Sequence, residues 1–171
     1  MVTPPDTRPQ EPTVADEHTM LEGFLDLHRA TLRWKCDGLD AEQLRRRSVE
    51  PSSMSLLGLV RHMTEVELSW FVRRFRGEQL APVYYSDDNP DGDFDDVDQA
   101  DVAEAFSRYE AAIARCKEAA AGASLDDTFV HSRNGNTYQL RWLYLHMLEE
   151  YARHNGHADL LRERIDGATG E

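Results

Sequence analysis

The side chains with the clearest capacity for chemistry lie near the C-terminal end, where His146, Glu150, His154 and His157 follow one another at steps of four, four and three residues. At about 100° of helix rotation per residue, they fall within a sector of roughly 80° on one helix face. Leucines project along the same direction, so this polar group interrupts a stripe that would otherwise face the core. Imidazole and carboxylate groups are donors that proteins use to hold divalent metals. The spacing therefore predicts a metal site on one face of a long helix.

The four donors on this face are not equally well placed to bind a metal. Glu150 and His154 point further toward the apolar side and are predicted to be ligands, whereas His146 and His157 lie at the edge. A third ligand must come from another helix, and His62 is the best placed because apolar residues border it in the middle of a predicted helix. A set of two histidines and one glutamate leaves a coordination position open, as catalytic zinc sites do. We therefore predict an open site for a divalent metal, with zinc the first candidate and nickel the second.

Three further residues are predicted to support this site. Glu67 lies near the middle of an apolar helix face, where a bare carboxylate is costly. It needs a partner, which could be an arginine, a backbone amide or an imidazole next to the metal. We assign Glu67, His146 and His157 to the residues that orient the ligands or contact the substrate.

Other interpretations of these residues remain open. The histidines of the last helix could instead form a hydrogen-bonded polar seam without metal. His28 is interpreted as a core residue, and His18 and His131 as surface or loop residues. The aspartate-rich tract from Asp87 to Asp98 imitates the opening of a calcium-binding loop but lacks the glutamate expected at the twelfth position. A solvated acidic loop is the alternative there.

The composition limits the classes of partner. Lys and Arg number 19 against 32 Asp and Glu, which gives a formal net charge of −13 over 171 residues. So acidic a surface would repel phosphate backbones and anionic lipids, and we expect no nucleic acid and no membrane as partner. The two cysteines cannot form a disulfide framework, and no signal-like or membrane-spanning apolar run is present. A cytoplasmic protein is the expectation.

Periodicity and capping signals predict an all-α fold with four long helices. Residues 1–15 carry four prolines and are expected to form a disordered arm or to lie on the surface, so that one domain spans residues 16–171. The connection over residues 77–100 is expected to be mobile or to act as a lid. Residues 124–137 could form a small hairpin around the turn at Asn134-Gly-Asn136. The predicted helices cover residues 16–37, 40–46, 53–76, 101–121 and 138–165. Long helices without clear strands favour a four-helix bundle, whose core is a common place for metal sites.

Two motifs also resemble a known family. One is Leu-Leu-Gly-Leu-Val-Arg-His62-Met-Thr-Glu-Val-Glu67, and the other is His146-Met-Leu-Glu-Glu150-Tyr-Ala-Arg-His154-Asn-Gly-His157-Ala-Asp-Leu-Leu-Arg162. Together with Gly38-Leu39 and Asp91-Gly-Asp-Phe94, they resemble the DinB-like superfamily, especially the actinobacterial branch related to mycothiol-dependent transferases. The resemblance covers about residues 16–167.

The resemblance implies an up-down-down-up four-helix bundle in which His62 and His154 bind a divalent metal. Many members have histidine where this chain has Glu150, but a glutamate there is similar to the mycothiol-dependent maleylpyruvate isomerases. Those isomerases carry an additional C-terminal domain, so a single-domain thiol S-transferase is the expectation for a chain that stops at Glu171. The resemblance also implies a homodimer.

Together, the residues and the resemblance lead to one functional hypothesis and one alternative. The hypothesis is a metal-dependent S-transferase in which a small thiol such as mycothiol, activated by the metal, attacks an electrophilic small molecule. The alternative is a non-catalytic metal-binding bundle that acts in a stress response or binds a small ligand. A fourth protein ligand such as His157 would close the site and favour the alternative.

Overall fold

The computed structural model describes residues 6–170, in which helices dominate and one small hairpin is present. Residues 1–5 of the predicted arm and residue 171 lie outside this range. The all-α class agrees with the structure apart from the hairpin. The helices are α1 (Glu17–Cys36), α2 (Ala41–Arg45), α3 (Leu56–Glu67) with a π-helical continuation (Leu68–Phe75), α4 (Gly92–Asp95), α5 (Val102–Ala120) and α6 (Leu140–Asp166). The strands are β1 (Thr128–Val130) and β2 (Thr137–Gln139).

Side-chain caps determine where helices begin. The predicted capping box at Asp40 is confirmed, because its carboxylate accepts from the backbone N–H of Gln43 (2.9 Å) and the Gln43 side chain accepts from the backbone of Asp40 (3.0 Å). Ser55 caps α3 by accepting from the backbone N–H of Gly58 (3.0 Å). This cap sets the start of α3 and thereby the direction in which His62 points.

The helix that begins with α3 changes its hydrogen bonding at Leu68. Sequence periodicity predicts one continuous α-helix to about Arg76, but the backbone N–H of Arg76 donates to the carbonyl of Phe71, five residues back (3.2 Å). A π turn holds more residues than an α turn, so it rotates the side chains that follow. Trp70 lies in this segment, and its ring centroid is 4.6 Å from that of His146 on α6.

The hairpin predicted between α5 and α6 is present. Its second strand includes residues 138 and 139, which were predicted to begin the last helix. Phe129 of β1 pairs with Tyr138 of β2 in an antiparallel register, and their rings stack with centroids 5.9 Å apart. Gly135 has a positive φ of 73° in the connecting turn, as the Asn-Gly sequence predicts. Because the backbone around Tyr138 is paired with β1, α6 begins at Leu140 instead of Tyr138.

A buried polar network joins the four long helical segments. Arg29 of α1 donates to both oxygens of Glu67 on α3 (2.6 and 2.8 Å), and the Tyr151 hydroxyl of α6 donates to the first of these oxygens (2.9 Å). The Tyr109 hydroxyl of α5 lies 2.9 Å from that of Tyr151. Burial raises the pKa of Tyr151, and the Glu67 charge raises it further. Of the partners that the sequence allows for Glu67, the structure shows an arginine.

The remaining core is apolar and lies between the long helices. Most buried side chains are leucines, aromatic residues and alanines, and α1 packs mainly on α6 while α3 packs on α5. Residues 6–15 form no helix or strand, and Arg8 places its guanidinium over the ring of Trp34 (4.5 Å). The division of the chain into an arm and one domain stays a prediction. No helix within residues 6–170 combines the length and apolar character needed to cross a bilayer.

The buried ion pair generates a prediction about stability. Arg29→Met should lower the free energy of unfolding by about 3–5 kcal/mol, because it leaves the Glu67 carboxylate buried without a counter-charge. Urea unfolding followed by circular dichroism measures this change.

The matched control removes an exposed ion pair. Arg153→Met breaks the pair between Arg153 and Glu149 on the surface of α6 and should leave the unfolding midpoint nearly unchanged. The double variant Arg29→Met/Glu67→Leu should be more stable than Arg29→Met, since no unpaired charge remains. Equal midpoints for Arg29→Met and Arg153→Met would contradict the role assigned to the network.

Candidate metal centre

Three of the predicted ligands meet in space. His62 of α3 and Glu150 and His154 of α6 each place a donor atom within 4.8 Å of the others. Residues four apart share a helix face, and Nε2 of His154 is 3.5 Å from Oε2 of Glu150. The ring centroids of His62 and His154 are 4.8 Å apart across the contact between α3 and α6. All three side chains are partly buried, and the set is a donor combination that suits a divalent metal.

The orientation of His62 is set by a residue of the acidic loop. Nδ1 of His62 lies 2.7 Å from Oδ2 of Asp93, and the Asp93 side chain is only 8% exposed. With Nδ1 donating to this carboxylate, the Nε2 lone pair is the one available to a metal. Histidine ligands of metals commonly donate their other ring N–H to a carboxylate in this way. His62 is therefore held in the tautomer that a ligand requires.

The acidic loop is attached to α3 at several points besides His62. Arg61 donates to the backbone carbonyls of Gly92 and Asp93 (2.8 and 3.0 Å), and Glu65 accepts from the backbone N–H of Tyr84 (2.6 Å). A Cβ at Gly92 would approach the Tyr84 carbonyl oxygen to 2.4 Å, so the loop requires glycine there. Within residues 6–170, the loop contains no cluster of three acidic or imidazole donors comparable to that of His62, Glu150 and His154. The loop forms a wall beside His62.

Two further histidines flank the cluster on α6. Nδ1 of His157 is 3.3 Å from Nδ1 of His154, on the side of that ring away from Glu150. Nε2 of His146 is 3.6 Å from Oε1 of Glu150. The interaction with His154 lowers the pKa of Glu150, while burial lowers the pKa values of His146 and His157. Around neutral pH these shifts favour an ionised carboxylate and neutral imidazoles, which are the forms that bind metals.

Glu67 is not brought to this cluster. Its side chain is fully buried, and both of its oxygens accept hydrogen bonds from Arg29 or Tyr151. The structure thus pairs Glu67 with Arg29 and Tyr151, and its assignment as a residue that orients the ligands or contacts the substrate stays a prediction. Glu67 faces the core network because it lies on another side of α3 from His62, five residues away.

A cavity of about 450 Å³ opens beside His62. One wall consists of residues from α3 and its π-helical continuation, and the opposite wall consists of the acidic loop. Arg133 reaches it from the hairpin turn. The lining residues include His62, Val66, Trp70, Asp87, Asp91, Asp93, Phe94 and Arg133. A small-molecule ligand in this cavity would lie against one of the candidate metal ligands.

Aromatic residues hold His146 next to the cluster. The His146 ring stacks on Trp142 with centroids 4.9 Å apart and meets Trp70 edge-on at 4.6 Å. Arg74 covers the Trp70 ring at 4.6 Å. His146 is thus packed between Glu150 and the two tryptophans, a position suited to orienting the carboxylate.

Sequence reasoning did not assign Asp93 to the site. Its contact with His62 spans 31 residues of sequence and depends on the path of an irregular loop. A signal was nevertheless present, because Asp91-Gly-Asp-Phe94 contributed to the family resemblance. Phe94 also lies beside the ring of His62, with centroids 5.1 Å apart. This short motif, in an acidic loop without periodicity, was therefore the sequence signal that indicated Asp93.

Comparison of the sequence with known protein families identifies one match. The profile of the mycothiol-S-transferase family matches residues 20–167. The chain belongs to the mycothiol-S-transferase family. Membership confirms the resemblance seen in the two histidine motifs, both of which lie inside the matched range. No curated protein and no solved structure matches the chain.

The contact between His62 and Asp93 yields a prediction about metal affinity. Asp93→Asn should weaken binding of zinc by about 10–100-fold, because the amide no longer offers the charge that fixes and polarises His62. Competition with a zinc-binding dye measures the dissociation constant. Asp95→Asn is the matched control, because this exposed residue of α4 has no contact with His62. Equal affinities in the two variants would contradict the assigned role of Asp93.

The two cysteines should not act as nucleophiles of the folded protein. Cys36 and Cys116 are 3% and 0% exposed, and burial raises the pKa of Cys36 to about 12 and that of Cys116 as well. At pH 8 both therefore remain inaccessible thiols. We expect Ellman's reagent to detect no rapid thiol in the native protein and two per chain in urea. Rapid reaction of either cysteine without denaturant would show that the core opens.

Proposed function

We propose that this protein is a metal-dependent S-transferase that joins a low-molecular-weight thiol, mycothiol, to an electrophilic small molecule. The observation that carries the proposal is the cluster of His62, Glu150 and His154, of which His62 also lines a cavity large enough for a small ligand. Membership of the mycothiol-S-transferase family supports mycothiol as the thiol.

Zinc is the proposed metal, with nickel as the second candidate. His62, Glu150 and His154 would hold it, and a bound divalent cation lowers the pKa of a thiol that shares its coordination sphere. Two imidazoles and a carboxylate without cysteine are typical of catalytic and not of structural zinc sites. The donor set is therefore compatible with a thiol as an additional ligand.

The protein's own residues position the ligands and the substrates. Asp93 orients His62, His157 contacts the outer nitrogen of His154, and His146 lies against Glu150. In the transfer, a bond forms between the thiol sulfur and the electrophilic carbon while the bond from that carbon to its leaving group breaks. The thiol proton passes to solvent, and the electron pair of the broken bond leaves with the leaving group. The cavity wall holds the reactants close to His62.

The fold proposed for this function is the up-down-down-up four-helix bundle. Its helices would be α1, α3 with the π-helical continuation, α5 and α6. The packing of α1 on α6 and of α3 on α5 supports this arrangement, as does the network that links all four. A homodimer is part of the same proposal, and the exposed side chains of Trp142, Leu145 and Leu160 on α6 are candidates for its interface.

The second candidate function is a non-catalytic metal-binding bundle of a stress response. It would be favoured if His157 completed the coordination. However, His157 contacts Nδ1 of His154, whereas the nitrogen of His154 next to Glu150 is Nε2. His157 therefore lies on the side of the His154 ring away from Glu150, which supports an open site. The same geometry argues against a mere polar seam, because the three donors converge on one point.

The test compares metal content with thiol transfer in the same preparations. Wild-type protein should contain about one zinc per chain after zinc loading and should conjugate a bimane electrophile in the presence of mycothiol. His154→Ala should lose both, because only two protein ligands remain. His18→Ala is the control, since this histidine of α1 lies outside the cluster.

Three outcomes separate the hypotheses. Equal stoichiometric zinc in wild type and His154→Ala would contradict the assigned site. Metal in the wild type without conjugation for several thiols and electrophiles would favour the non-catalytic bundle. Absence of metal from the wild type would favour the hydrogen-bonded seam.

A further inference from the structure

Asn155 of α6 is a buried polar residue to which the proposed function gives no role. It directly follows His154 in the sequence and is only 7% exposed. Its amide nitrogen Nδ2 donates to the backbone carbonyl oxygen of His28 on α1 (3.1 Å) and lies 3.3 Å from Nδ1 of the same histidine. Asn155 therefore attaches α6 to α1 at the residue next to a candidate metal ligand.

The contact with Asn155 determines which nitrogen of His28 carries the proton. An amide nitrogen only donates, so Nδ1 of His28 accepts and the ring carries its hydrogen on Nε2. Burial lowers the pKa of His28, which favours the neutral ring that this contact requires. The attachment between α1 and α6 thus has a defined direction, from the amide of one helix to an imidazole and a carbonyl of the other.

The oxygen of the same amide has no such partner. Oδ1 of Asn155 is buried and accepts no hydrogen bond within residues 6–170. A buried acceptor without a donor costs free energy of folding, a cost that leucine, with the same branched shape, would not have. Stability alone therefore does not account for an asparagine at this position. A single buried asparagine between packed helices can instead specify their register at a cost in stability, as it does in coiled coils.

A second polar attachment of α6 lies one turn before Asn155. The Tyr151 hydroxyl donates to Glu67 and so connects α6 to α3, whereas Asn155 connects it to α1. His154 lies between these two residues in the sequence. Attachment to two different helices leaves α6 little freedom to slide or to rotate at this point.

We propose that Asn155 is a positioning residue: its bonds to His28 set the rotation of α6 that brings His154 to His62, with ring centroids 4.8 Å apart. The inference rests on the proposed function, in which these two histidines bind one metal. Side chains lie ~5–6 Å from a helix axis, so a rotation of α6 by about 20° would move a donor atom by ~2 Å. A metal site tolerates deviations of only about 0.2 Å in its ligand distances.

The test compares Asn155→Leu with the matched control Thr64→Val. Thr64 is fully buried and lies two residues after His62, but its hydroxyl donates to the carbonyl of Val60 within its own helix (2.8 Å). The control therefore removes a buried hydrogen bond near a candidate ligand without removing a contact between helices. We expect the dissociation constant for zinc, measured by dye competition, to rise on the order of ten-fold in Asn155→Leu and to stay unchanged in Thr64→Val.

Stability separates positioning from a structural role. Metal-free Asn155→Leu should unfold near the wild-type urea midpoint, because removal of a buried oxygen without a donor offsets the lost hydrogen bonds. If zinc affinity and the urea midpoint fall together, the role is structural and the inference is overturned. Asn155→Ala is the second variant, since its smaller side chain avoids overpacking by leucine, and it should weaken zinc binding as well. Zinc affinities equal to that of the wild type in both variants would also overturn the inference.

A further measurement needs no metal and no activity. The rings of His62 and His154 should show a nuclear Overhauser effect between them in the metal-free wild type and in Thr64→Val, and this effect should be lost or weakened in Asn155→Leu. An unchanged effect in Asn155→Leu refutes the positioning role whether or not the wild type binds zinc. Conversely, a wild type that binds no zinc refutes the metal-dependent function, while loss of the effect in Asn155→Leu still supports the role of Asn155.

Discussion

The buried ion pair between Arg29 and Glu67, with the Tyr151 hydroxyl as third partner, constrains the geometry of the site. Glu67 follows His62 on the same helix by five residues, and Tyr151 directly follows Glu150. The hydrogen bond between Tyr151 and Glu67 therefore fixes the position of α6 along α3 close to the three candidate ligands. A buried carboxylate is expensive to leave unpaired, so sliding one helix past the other would cost several kcal/mol, of order 3–5. The core network thus fixes the distances within the cluster without contributing a ligand.

The two histidines proposed as metal ligands are supported in different ways. His62 contacts the carboxylate of Asp93, whereas His154 contacts a second imidazole, that of His157. A carboxylate acceptor increases the basicity of an imidazole and strengthens it as a donor to a metal, while a neutral imidazole does so less. Under the proposed function, the stronger donor would therefore come from the helix next to the acidic loop, and the loop would affect the metal as well as form the cavity wall. Arg61 and Glu65, which precede and follow His62 on α3, hold the loop in the position that this contact requires.

Much of the helical framework and the meeting of His62, Glu150 and His154 could be predicted because both follow helical periodicity. Glu150 and His154 are four residues apart, and His62 lies on a helix whose start is marked by a serine cap. The contact between Asp93 and His62 was not predicted, because it depends on the path of a loop that has no periodicity. The π-helical geometry after Leu68 was not predicted either, because a shift of one residue in backbone hydrogen bonding leaves the apolar pattern of the sequence almost unchanged. The extent of α6 was limited by pairing of Tyr138 with β1, which is a tertiary effect that local propensity does not contain.

The electrostatics of the site bear on why a metal would be needed for thiol chemistry in this fold. A thiolate beside Glu150 and Asp93, with Asp87 and Asp91 on the cavity wall, would experience repulsion from several carboxylates, and nearby negative charge raises the pKa of a thiol. Among the cavity-lining residues of the described range 6–170, Arg133 is the single lysine or arginine, and it offsets only part of this charge. Enzymes that activate thiols without metal surround them with cations or helix N-termini, which is the opposite arrangement. Under the proposed function, this acidity makes ionisation of the thiol depend on a divalent cation held by His62, Glu150 and His154.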